Sequence, residues 1–171
     1  MTVSSQPEAA PAPRAVAPPD EAAALKDVFG CFATGVVVVT ASGPSGPVGM
    51  TVSSFTSVSL RPPLVLFCAA AESTTWPQIS RCGTFVINIL ACGQGDLARA
   101  FARRQVHRFA GIQPFRSPTG LPVLPEILAY LECQSYQLWP GGDHTVVVGQ
   151  VRHARRLRDD APLLHFGGRL R

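Results

Sequence analysis

The sequence predicts a mainly β protein, an antiparallel barrel with a few helices, and three observations carry that expectation. Apolar or alternating runs recur in short lengths at residues 36–40, 51–60, 64–69, 84–90, 127–138 and 145–151. Turns rich in glycine and proline separate several of them, as at 43–47 and 139–144. No strand–helix–strand rhythm joins them, which argues against a parallel, doubly wound sheet. Gly43, Gly46 and Gly49 fit the same picture. A dinucleotide fingerprint needs a helix after its glycines, and here a strand follows.

Residues 1–19 hold Pro7, Pro11, Pro13, Pro18 and Pro19 among alanines and serines and have little to bury. They read as a disordered tail, leaving 20–171 as one domain. Asp20 is placed to cap a helix reaching about Phe32, with Leu25, Val28, Phe29 and Phe32 as its apolar stripe. The valines at 36–39 suit a strand buried on both faces, and 64–69 is another apolar strand. Ser73 or Thr74 then caps a short helix over 76–81, with Pro77 in its first turn. Residues 84–90 form a strand with one polar residue, Asn88, inside it. A helix over 95–104 turns Leu97, Ala100 and Phe101 inward and puts Arg103 and Arg104 at its C-terminal end, where the helix dipole favours them. Residues 106–125 are irregular. Long strands over 127–138 and 145–151 follow, then a last short one at 162–166.

Of the 171 residues 46% are hydrophobic and only 15% charged, enough for a real core and sparse enough in charge to hint at a covered face. The net charge of +4 is almost wholly arginine, Lys26 being the only lysine. The arginines at 99–108 and 152–158 are not interleaved with aromatics, which argues against nucleic acid as a partner. Cys31, Cys68, Cys82, Cys92 and Cys133 are odd in number, widely spaced and without a CxxC pair. They read as free thiols in a reducing, cytoplasmic setting. No signal peptide or run of about 18 apolar residues argues for export or a membrane.

No GxSxG elbow, cysteine–histidine signature, carboxylate pair or metal grouping stands out. Reactivity would then be borrowed from a cofactor, and hydride transfer between two stacked rings asks least of the protein. Within residues 49–67 (GMTVSSFTSVSLRPPLVLF), Thr51, Ser53, Phe55, Ser57 and Ser59 share one face at a strand's period of two. Neutral hydroxyls beside an aromatic suit a polar ligand with a flat ring. A Ser/Thr-rich strand with one wet face is the plainer alternative.

Taken in order, residues 32–40 (FATGVVVVT), 49–64, 85–90 (FVINIL), Leu97 with Phe101 and Ala102, 108–111 (RFAG), 131–133 (LEC), 142–144 (GDH) with Gly149, and 162–166 (PLLHF) resemble the short-chain flavin reductase family. The resemblance spans about residues 22–169. It implies a split β-barrel of the flavin reductase, FMN-binding type, working as a homodimer. NADH or NADPH would reduce FMN or FAD, and the reduced flavin would pass to a separate oxygenase or halogenase.

By that resemblance the flavin contacts fall on Thr34 and Gly35, on Met50, Thr51, Val52, Ser53, Ser54 and Ser57, and on Cys68, Ala69, Ser73, Thr74 and Thr75. Residues 73–75 precede a helix and suit phosphate or ribityl contacts, with simple capping as the alternative. His144 looks like the family's histidine beside the nicotinamide, there to orient the carboxamide or supply a proton. A turn histidine bonded to Asp143 is its alternative. Asn88 is a further contact on this reading, although a polar group inside a strand is more often a satisfied core amide. Phe101 and Arg103 would stand near the adenine end of a dinucleotide, with a surface helix end as the plainer alternative. Leu170 departs from the aromatic usual in the family. Two other classes stay open: a flavin-binding barrel without reductase activity, and an oxidase of the pyridoxine-phosphate type, which should need a more basic pocket.

Overall fold

The computed structural model of the protein describes residues 19–103 and 108–171; the segments 1–18 and 104–107, with the expected helix end at Arg104, lie outside the described residues. Helix α1 (Pro19–Gly30) begins a residue before Asp20, which therefore sits in the first turn and not ahead of it. It ends two residues short of Phe32. Among the described residues twelve strands follow: β1 (Thr34–Gly35), β2 (Val37–Gly43), β3 (Gly46–Val52), β4 (Thr56–Leu60), β5 (Pro63–Ala70), β6 (Thr84–Ile89), β7 (Phe115–Arg116), β8 (Pro122–Val123), β9 (Ala129–Gly141), β10 (His144–Arg156), β11 (Leu164–Phe166) and β12 (Arg169–Leu170). Helices α2 (Trp76–Cys82) and α3 (Gly95–Ala102) interrupt them.

Seven strands make one antiparallel sheet in the order β3-β2-β6-β9-β10-β5-β4. Its residues alternate between two cores. Val37, Val39, Met50, Val52, Phe67, Phe85 and Val147 point into the barrel, where Phe67 meets Trp76 and Phe85 edge-on at 5.7 and 5.6 Å. Val36, Val38, Val86 and Tyr130 point outward and are covered by α3 and the 121–127 segment. Period-two alternation between two buried faces explains the unbroken valine run. Gly149 is bare because the Phe85 ring fills its side-chain space: a Cβ there would stand 2.8 Å from Cζ.

Three sequence expectations are corrected. The hydroxyl run is not one strand. Strand β3 stops at Val52, pairing resumes at Thr56, and the register shifts between Ser57 and Ser59. The break at 53–55 and the bulge after Ser57 each interrupt the period of two, so the run does not present one continuous face. Helix α3 buries Ala98 and Phe101, with Leu97 only partly covered; Ala100 is not among the core residues. Asn88 is wholly buried and fully used. Its Nδ2 donates to Val38 O at 2.8 Å and to Thr40 Oγ1 at 3.0 Å, while Oδ1 accepts from the Leu124 amide at 2.9 Å. That amide straps the covering segment to the sheet.

The stripe of α1 is left outside the core. Leu25, Val28 and Phe29 are 48, 66 and 68% exposed, and Phe32, two residues past the helix, is 75% exposed. The Gly167 amide donates to Gly30 O, linking the helix to the small sheet β1-β11-β12. Among the described residues no helix is long and apolar enough to cross a membrane.

Candidate functional site

Where β3 runs out, its end is pinned to β5 by a side chain. Ser54 Oγ accepts from the Cys68 amide at 2.8 Å and lies 3.3 Å from the Cys68 carbonyl, mimicking a rung of sheet. Beside this splice lies a cavity of about 410 Å³. Residues 50–54 form one wall, Cys68 and Ala70 of β5 another, and Glu72, Ser73 and Thr74 a third. Phe101 and Ala102 of α3, Arg108 and His144 complete it. The sequence-expected residues Met50, Thr51, Val52, Ser53, Ser54, Cys68, Ser73, Thr74, Phe101 and His144 therefore meet around one space.

The others lie elsewhere. Thr34 and Gly35 pair with His165 and Leu164 of β11, and the Thr34 hydroxyl is buried without a partner among the described residues. Ser57 stands on edge strand β4, and Ala69 is wholly buried. Thr75 is buried beneath Arg108, and Arg103 is exposed past the end of α3, its carbonyl accepting from Arg108 Nε at 2.9 Å.

Several hydroxyls are already engaged. Thr51 donates to Ala98 O at 2.6 Å, which docks α3 on β3. Ser73 Oγ accepts from the amides of Thr75 and Trp76 at 3.3 and 3.0 Å, so it caps α2. The hydroxyls of Ser53 and Thr74, both in the cavity wall, make no hydrogen bond to the described residues. They are the ones left for a ligand.

His144 opens β10, and its Nδ1 lies 2.7 Å from Asp143 Oδ1. The imidazole holds the Asp143 carboxyl below the usual carboxylate range, by this hydrogen bond first and by charge second. An ionised carboxylate only accepts, so Nδ1 carries the proton and Nε2 is left for exchange with a ligand.

Arg108 was legible in the sequence only as part of the RFAG run. Nη1 donates to Gly49 O and to Thr75 Oγ1, each at 2.6 Å, and burial pulls the guanidinium below its ordinary value. It remains charged at neutral pH. Ala70, Glu72 and Ala102 are further wall residues that the sequence reading did not single out.

The flavin reductase like domain matches residues 29–171, and the chain belongs to that family of oxidoreductases. It is 40% identical over 144 residues to the reductase subunit HsaB of a flavin-dependent monooxygenase from Rhodococcus jostii, covering 84% of this chain and 74% of that one. An NADH-dependent FAD reductase from Streptomyces globisporus is 40% identical over 166 residues, covering 93 and 90%. Among solved structures, nitrilotriacetate monooxygenase component B from Mycobacterium thermoresistibile superposes with a TM-score of 0.86 at 36% identity, covering 89% of this chain and 86% of that one. The barrel is thus the split type found in flavin reductases.

Proposed function

We propose that the chain is an NAD(P)H-dependent flavin reductase that supplies reduced FMN or FAD to a separate monooxygenase or halogenase. The convergence of residues 50–54, Cys68, Ser73, Thr74 and His144 on one cavity carries this reading. The donor set fits a flavin: neutral hydroxyls on Ser53 and Thr74 for a polar chain, one guanidinium for a phosphate, and apolar walls from Met50, Val52 and Phe101 for a ring. When bound, the flavin supplies the redox chemistry, accepting a hydride from the nicotinamide. The protein's part is to hold the rings together and keep water out. His144 would orient the nicotinamide carboxamide or exchange a proton at Nε2.

The working unit is a homodimer on this reading. A soluble monomer rarely presents a continuous apolar stripe such as Leu25, Val28, Phe29 and Phe32, and a second copy would cover it. The free state of all five cysteines supports a reducing, cytoplasmic setting.

The test is NADH and NADPH oxidation by purified, flavin-stripped protein with and without added FMN or FAD. Saturable, flavin-dependent oxidation is expected. Flavin binding without oxidation would leave a non-catalytic barrel, and no flavin binding at all would overturn the reading.

A further inference from the structure

A second cavity, about 1230 Å³, adjoins the first and shares Thr74 and Arg108 with it. Its walls are the β2–β3 hairpin at 42–49, one side of α2 at Gln78, Arg81 and Cys82, and the turn at 108–110. The chain along β3 and just past its end runs through both, residues 50–54 lining the first and 46–49 the second. At about 3.3 Å per residue, the six steps of β3 from Val52 to Gly46 span about 20 Å, longer than a mononucleotide fills.

Arg108 stands where the two meet. A guanidinium carries five N–H donors. Nε and Nη1 spend three of them on Arg103 O, Gly49 O and Thr75 Oγ1. The two on Nη2 have no acceptor among the described residues. A cation fixed from behind by two carbonyls and a hydroxyl, with a planar pair of donors unspent, suits a phosphate oxygen. Beyond it, Pro47, Val48 and Phe109 offer apolar surface, and Phe109 is held edge-on to Phe101 at 5.0 Å. Arg81, exposed at the end of α2, has no ion-pair partner among the described residues.

We propose that the two cavities form one cleft for a flavin dinucleotide, with Arg108 on the diphosphate and the adenosine in the second cavity, so that FAD is bound in preference to FMN. This rests on the flavin reading above. His144 lines the first cavity and not the second, so the nicotinamide is placed at the other end of the cleft.

The test is equilibrium binding of FAD and FMN to the flavin-stripped full chain, read by quenching of flavin fluorescence. Wild type should bind FAD at least about tenfold tighter than FMN. Arg108→Met should abolish most of that preference. Because Arg108 also ties three segments together, Arg81→Glu is measured beside it. That surface change should weaken FAD about tenfold and leave FMN within about threefold. Equal affinities for FAD and FMN in wild type would overturn the proposal and leave the flavin reading standing. Unchanged FAD binding in Arg81→Glu with a raised KM for NADH would overturn it by assigning the second cavity to the nicotinamide dinucleotide. Binding of neither flavin would overturn both.

Discussion

The Thr51 hydroxyl lies 2.6 Å from the Ala98 carbonyl, so the first member of the hydroxyl run holds a helix in place. Helix α3 in turn brings Phe101 and Ala102 to the cavity wall. Thr51→Val keeps the shape and removes the donor. It should cost about 1 kcal/mol in denaturant unfolding, with a smaller effect on flavin affinity than Ser53→Leu, which fills the cavity itself. A larger effect of Thr51→Val on flavin than on stability would make Thr51 a ligand contact first.

Gly49 faces the same helix from below. An added Cβ would stand 2.7 Å from Phe101 Cε1 and 3.1 Å from Thr40 Cγ2. Gly49→Ala should destabilise the fold by about 1–3 kcal/mol through overpacking, seen as a lower denaturation midpoint. A neutral result would mean that the Phe101 ring turns aside at little cost.

His144→Ala should lower kcat/KM for the nicotinamide by about tenfold or more while flavin affinity stays within about threefold. Steady-state kinetics and flavin fluorescence read the two separately. Equal damage to both would make His144 a structural turn residue.

Cys133 gives a prediction in pH. Burial first, and the neighbouring Glu132 carboxylate second, push its thiol up to about 12 from an ordinary 9.0. Below pH 9 the folded and unfolded chains both hold the proton, and the contribution is fully present. Between 9 and about 12 only the folded chain holds it, so stability falls as pH rises through that window. Native alkylation at pH 8 should mark the exposed Cys31 and Cys92 and spare Cys133, which reacts only after unfolding. Labelling is read by peptide mass spectrometry; early marking of Cys133 would mean local opening of β9.

Phe29→Glu places a charge in the exposed stripe of α1. Light scattering after size exclusion should show a dimer for wild type and a monomer for the variant. A monomeric wild type would remove the dimer from the proposed function.

The barrel was legible because its strands are long enough to display a period. The valines at 36–39 and the runs around Phe67 and Phe85 announced burial directly. Strands β7, β8 and β12 have only two residues each, too few to show a period at all, whereas β11 falls inside the short strand expected at 162–166. Most of one cavity was visible because residues 50–54 are contiguous and chemically distinctive. The bulge at Ser57 was invisible, since nothing in TSVSL marks the slipped rung. Arg108 was hidden for another reason. Two of its three partners are main-chain carbonyls, at Gly49 and Arg103, and a carbonyl leaves no trace in a side-chain pattern. The stripe of α1 declared that the helix packs, but not on what.

The turn carrying His144 is fastened from two sides. His144 pairs with Gly141 and with Ala70, and the Ala71 amide donates to Asp143 O at 2.8 Å. The backbone beneath the imidazole therefore moves with the sheet, and the ring has only its own two torsions to turn about. Such rotations belong to the picosecond-to-nanosecond range, whereas loop closures take microseconds or longer. At this end of the cleft, the imidazole can reorient far faster than any segment of chain could open or close over it.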